Sequence, residues 1–97
     1  MAGSPTGLVA DAEQRRITDI ISARRHELPP GARRLDYNFD QDWAGDPAVH
    51  ITLVMAKEME GATHRVAELS GFLTSLREEI IAARATYWPF TRISVER

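Results

Sequence analysis

Apolar residues first recur at helical spacing. Ile17, Ile20, Ile21 and Leu28 fall on one side, and Val9 and Ala10 extend that side one turn back. This predicts a helix from about Leu8 to Leu28. Pro29 stops it, because proline drives its predecessor out of the α region, and Pro29-Pro30-Gly31 makes a sharp turn. Alternation follows: Leu35, Tyr37 and Phe39 share one face, and Asp36, Asn38 and Asp40 the other. Residues 40–47 carry turn chemistry around Gly45 and Pro47. Val49, Ile51, Leu53 and Met55 then alternate with His50, Thr52 and Val54. Two alternating runs about such a connection predict a β-hairpin with a loop longer than two residues.

Val66, Leu69, Leu73, Leu76, Ile80 and Ala83 recur at three- and four-residue steps, with Ala62 before, Tyr87 after and Phe72 at the side. That stripe predicts a helix laid on a sheet, starting at Gly61 or Thr63 and ending at Trp88-Pro89. Thr91, Ile93 and Val95 alternate with Arg92 and Ser94 in a last strand, 90–95. The expected fold is α+β, an α-β-β-α-β two-layer sandwich: a three-stranded mixed or antiparallel sheet with both helices on one face. The other face would be open and polar, carrying Asp36, Asn38, His50, Thr52, Arg92 and Ser94. Residues 1–7 read as a flexible N-terminal lead-in and 8–97 as one domain.

Composition narrows the function classes. The 97 residues are 43% hydrophobic, with a net charge of −2 and no cysteine. This is too apolar for a disordered chain, and it excludes disulfides, thiolate metal sites and a cysteine nucleophile. With no membrane-length apolar run and no signal-peptide pattern, a cytoplasmic protein without membrane contact is expected. The small net charge is an average: residues 36–60 hold six acids against Lys57, and the helical segments are mildly basic. Such separation favours docking by charge complementarity over wrapping a polyanion.

Eleven of the twelve basic residues are arginine. The pairs Arg15-Arg16, Arg24-Arg25 and Arg33-Arg34, with Arg92, offer planar forks suited to phosphate. Asp11, Glu13, Asp19 and Glu27 are interleaved among them, so a solvated, internally paired face is the simpler expectation. Asp40, Asp42 and Asp46 around Gly45 look like half of a calcium loop, but the position for the closing bidentate acid is Ile51. Their simpler role is bonding to the backbone of the turn. His26, His50 and His64 lack metal-ligand spacing. His50 beside Asp36 across the hairpin would be the nearest approach to an acid–base pair. No phosphate loop, nucleophile elbow or zincin motif occurs, so neither an enzyme, a metal nor a cofactor is expected.

The aromatics speak to packing. Tyr37 and Phe39 point to the core, and Tyr87, Trp88 and Phe90 around Pro89 are expected to clamp the second helix onto the last strand. Trp43 either folds back to cap the sheet or is an exposed anchor for a partner. Glu13 and Arg24 fall inside the first helix's apolar arc, where they either snorkel or meet a partner. Gly71 costs its helix about 1 kcal/mol relative to alanine, which would suit close approach of another backbone.

Asp36-Tyr-Asn-Phe-Asp40, Gly45-Asp-Pro-Ala48 and the Trp88-Pro-Phe90 entry to the last strand resemble small uncharacterised bacterial proteins of about this length. The resemblance spans most of residues 9–95 and implies no activity. The element order is also similar to that of the type II KH domain, but its GxxG loop is absent here. The sequence therefore points to a small non-enzymatic interaction or accessory module. It would act through a protein partner or as a homodimer, as the neutralising member of a two-gene bacterial system does. Trp43, Asp36, Asn38, His50, Thr52 and Arg92 are its candidate binding residues. A nucleic-acid module built on Arg15, Arg16, Arg24, Arg25, Arg33 and Arg34 is the alternative, and a metal-dependent enzyme around His50 the third reading.

Overall fold

The computed structural model describes residues 5–57, 63–83 and 86–96, with side chains over 12–57, 66–83 and 86–96. Helix α1 spans Pro5–Arg24 and runs into a 3-10 turn, Arg25–Glu27. Strands β1 (Ala32–Gln41) and β2 (Pro47–Met55) follow, then helix α2 (Thr63–Ala82) and strand β3 (Trp88–Val95). The sheet order is β1-β2-β3, with β1 antiparallel and β3 parallel to β2, so the sheet is mixed.

Both helices pack on the sheet face that carries Leu35, Val49, Ile51, Leu53 and Met55. Ile17 and Ile21 from α1, and Leu69, Leu73, Leu76 and Ile80 from α2, complete the buried core. The phenol of Tyr37 donates to Thr18 Oγ1 at 3.3 Å, tying β1 to α1. The helices run antiparallel. Arg16, in the middle of α1, reaches the Ala83 carbonyl just past the α2 end, and Arg24, at the α1 end, reaches Glu79 and Ser75 further back along α2.

The element boundaries depart from expectation in physically clear ways. Helix α1 starts at Pro5, inside the expected lead-in, because proline in the first turn forfeits only an N–H that has no intrahelical acceptor. The α-helix ends at Arg24, not Leu28. Leu28 is extended (φ −60°, ψ 135°), as a residue before proline must be, and the 3-10 turn makes the transition. Helix α2 stops at Ala82, leaving Tyr87 to belong to the approach to β3. The lead-in residues 1–4, the side chains of Val9, Ala10 and His64, and a helix start at Gly61 lie outside the described residues.

The aromatic clamp divides. Pro89 is buried in the core. Trp88 does meet α2, with the Arg77 guanidinium 5.2 Å from its ring centre. Phe90 does not: strand parity places it on the open face, where it stacks on His50. Tyr87 holds α1 instead, since Gln14 Nε2 donates to its hydroxyl at 2.7 Å and its ring meets Phe39 edge-on. Glu13 and Arg24 are occupied within the fold, so the partner reading of that helix face is set aside. Glu13 accepts from the Thr86 N–H (2.9 Å) and hydroxyl (2.8 Å), and Arg24 pairs with Glu79 at 2.8 Å above the Phe72 ring. No other backbone of the described chain approaches Gly71; a Cβ added there meets nothing within 4 Å.

Candidate functional site

The register of the three strands sets the uncovered face out in rows. Asp40, Ala48 and Trp88 form the row nearest the hairpin tip, followed by Asn38, His50 and Phe90, then Asp36, Thr52 and Arg92. Arg34, Val54 and Ser94 close the array. Side chains alternate across a pleated strand, so the positions that bury Leu35, Ile51 and Leu53 turn Asp36, Asn38, His50, Thr52, Phe90 and Arg92 to the other face. Ala48 and Val54 in these rows are themselves buried, and Trp88, on the edge strand, reaches Arg77 of α2. Asn38, Asp40, His50, Thr52, Phe90 and Arg92 line an open cavity of about 320 Å³.

Interactions within the array hold its shape. His50 and Phe90 rings stack with centroids 5.5 Å apart and planes 16° apart. His50 Nε2 lies 3.2 Å from the Gln41 carbonyl, which only accepts, so Nε2 carries the proton of this bond. Arg92 Nε donates to Thr52 Oγ1 at 3.1 Å. Asp36 accepts from Arg34 Nε at 2.8 Å, and this bond and its charge raise the Arg34 pKa above its ordinary value. The expected His50–Asp36 pair is not made: His50 stands directly across from Asn38, and Asp36 turns to Arg34. The cavity is thus polar and edged by the His50 and Phe90 rings. Asp40 supplies an anionic end and Arg92 a cationic one.

The hairpin tip is a rigid mount. Gly45, at φ +87°, closes a three-residue loop: its N–H donates to the Asp42 carbonyl (3.0 Å), and the Asp42 N–H donates to the Asp46 carbonyl (2.9 Å). Asp42 Oδ1 accepts from the N–H groups of Ala44 (2.8 Å) and Asp46 (3.0 Å). These bonds account for the acidic loop as turn chemistry, and no cluster of metal-ligating side chains occurs among the described residues. Trp43 stands on this turn 96% exposed, so it does not fold back to cap the sheet.

The arginines are largely committed to their own chain. Arg16 reaches Ala83 O, Arg24 pairs with Glu79, and Arg25 donates twice to the Leu35 carbonyl beneath the Tyr37 ring. Arg33 pairs with Glu96 at 3.3 Å and Arg34 with Asp36, while Arg15 is exposed on α1. The folded chain thus brings Asn38, His50, Thr52 and Arg92 to one cavity, sets Asp36 in the row beside it, and places Trp43 at the adjoining tip. Asp40 and Phe90 belong to the same cavity and were not singled out as binding residues; their signal was strand parity, which puts both with His50. Comparison with protein-family models, curated proteins and solved structures finds no match. Among the described residues no helix is long and apolar enough to cross a membrane.

Proposed function

We propose that this chain is a small non-enzymatic interaction module that docks a partner protein through its open sheet face, with Trp43 as the anchor. The observation that carries the reading is Trp43 itself: a large amphipathic ring, 96% exposed, held out on a hydrogen-bonded turn. Tryptophan on a rigid mount loses little entropy on binding and is enriched among residues that dominate interfaces. The cavity of about 320 Å³ begins beside that turn and adds Phe90, His50 and, at its two ends, the opposite charges of Asp40 and Arg92 for orientation. A nucleic-acid role finds less support, because Arg16, Arg24, Arg25, Arg33 and Arg34 already serve intramolecular contacts.

The test is a photo-crosslinking amino acid at position 43 in cells, followed by mass spectrometry of the adducts. One discrete protein adduct, lost on His50→Asp or Phe90→Asp substitution, is expected. No adduct, or a ladder unaffected by those changes, overturns the reading, and nucleic acid in the adduct favours the arginine alternative.

A further inference from the structure

The two edges of the sheet are finished differently. In a strand, successive backbone N–H and C=O groups point alternately to either side. Glu96 N–H donates to Met55 O at 2.9 Å, directing the even-numbered groups of β3 toward β2. The N–H groups of Thr91, Ile93 and Val95 therefore point outward from an edge that no described strand covers. Pro89 also lies on the outward phase, which is why a proline is tolerated there: the donor it lacks is not one that β2 needs. On the opposite edge, Arg25 donates to the outward Leu35 carbonyl at 3.0 and 2.8 Å and blocks pairing along β1. Two of the four exposed large hydrophobics among the described residues also lie in β3: Trp88 at 46% and Phe90 at 37%.

We propose that the β3 edge pairs antiparallel with β3 of a second copy, giving a homodimer with one continuous six-stranded sheet. Of the registers centred on Thr91, Arg92 and Ile93, one is self-complementary. Its outward groups are all odd-numbered, so any such pairing joins odd to odd and keeps both helical layers on the same face. A two-fold axis at Arg92 would set Arg92 against its own copy in the close, non-hydrogen-bonded position, a like-charge contact. An axis at Thr91 would bring Pro89 inside the ladder opposite Ile93, leaving a carbonyl without its donor.

An axis at Ile93 avoids both. Ile93 meets Ile93 of the second copy, and Thr91 meets Val95, so every outward N–H of 91, 93 and 95 finds a carbonyl. Pro89 falls beyond these pairs. On the open face Arg92 lies opposite Ser94 and diagonal to Glu96 of the second copy, and opposite charges adjoin. The pairing uses the backbone edge, not Trp43, and so stands apart from the docking reading; it doubles the open face on one platform.

The test uses the absence of cysteine. Hydrogen-bonded antiparallel pairs set Cα atoms about 5.5 Å apart, inside the range a disulfide spans. Ile93→Cys is expected to form a covalent dimer under mild oxidation, and Asn38→Cys, in β1, is not. By light scattering across a dilution series, the mass should move from 10.9 kDa toward twice that value. Thr91→Pro, which removes one outward donor and no bond to β2, should weaken the dimer at least tenfold with far-UV circular dichroism unchanged. Trp43→Ala should leave the dimer intact. A monomer at every concentration, or a dimer in which Ile93→Cys links no better than Asn38→Cys, overturns the proposal. Should the proline variant not fold, the cysteine comparison decides alone.

Discussion

Arg25 and Leu35 form a two-pronged contact in which one guanidinium donates both Nε–H and an Nη–H to a single backbone carbonyl, at 3.0 and 2.8 Å. The carbonyl would otherwise face solvent on the β1 edge. Hydrogen bonds from a charged group contribute about 1–3 kcal/mol, and partial exposure places this one near the low end. Arg25→Ala is therefore expected to lower urea-unfolding stability by about 1 kcal/mol. The same variant unblocks β1, so concentration-dependent association beyond a dimer should rise in light scattering.

Trp43 and Gly45 stand two residues apart and should behave oppositely. Trp43→Ala removes a side chain with almost no buried area and should change stability by less than about 0.5 kcal/mol. Gly45→Ala forces a Cβ into the left-handed region at φ +87° and should cost about 1–2 kcal/mol, even though nothing lies within 4 Å. Thermal melts of the two variants check both expectations.

Two of the contacts that tie α1 to the rest of the chain differ in kind. Glu13 accepts both a backbone N–H and a hydroxyl from exposed Thr86 through charge-assisted bonds, so water can replace the carboxylate and Glu13→Ala should cost about 1 kcal/mol. Arg24–Glu79 is a surface ion pair, with Glu79 45% exposed. A double-mutant cycle on it should return a coupling below about 1 kcal/mol that shrinks as salt is added.

Gly71 sits in the middle of α2 with open space where a Cβ would go. Gly71→Ala should stabilise the fold by about 1 kcal/mol, through helix propensity and a less flexible unfolded chain. For a chain of this size that corresponds to a rise of roughly 4–8 °C in Tm. A variant that is stabilised but loses partner adducts at position 43 would reveal a contact over this part of α2.

The hairpin and the stripe of α2 were legible because periodicity and burial agree there: Leu35, Val49, Ile51, Leu69 and Ile80 lie where alternation or helical spacing put them. The open face followed from the same parity. Phe90 was misread because its nearness to Pro89 outweighed its phase with Arg92, although the phase decides which way a strand residue points. Glu13–Thr86 and Gln14–Tyr87, each 73 residues apart, left no local trace, since neither spacing nor propensity encodes a polar contact between distant segments. Exposure of Trp43 was likewise undecided by composition, since a turn residue's direction depends on the backbone path through Asp42–Asp46.

Because β3 joins the sheet in parallel through α2, the strand that completes β2 is made well after it. Val49, Ile51, Leu53, Val54 and Met55 then form a long apolar strand with one unpaired side while the ribosome is still adding α2 and β3. Contacts between neighbouring segments can form α1 and the hairpin early, but closure of β2 waits on a distant partner. Vulnerability to misassembly during synthesis is thus concentrated in the interval between the end of β2 and the arrival of β3.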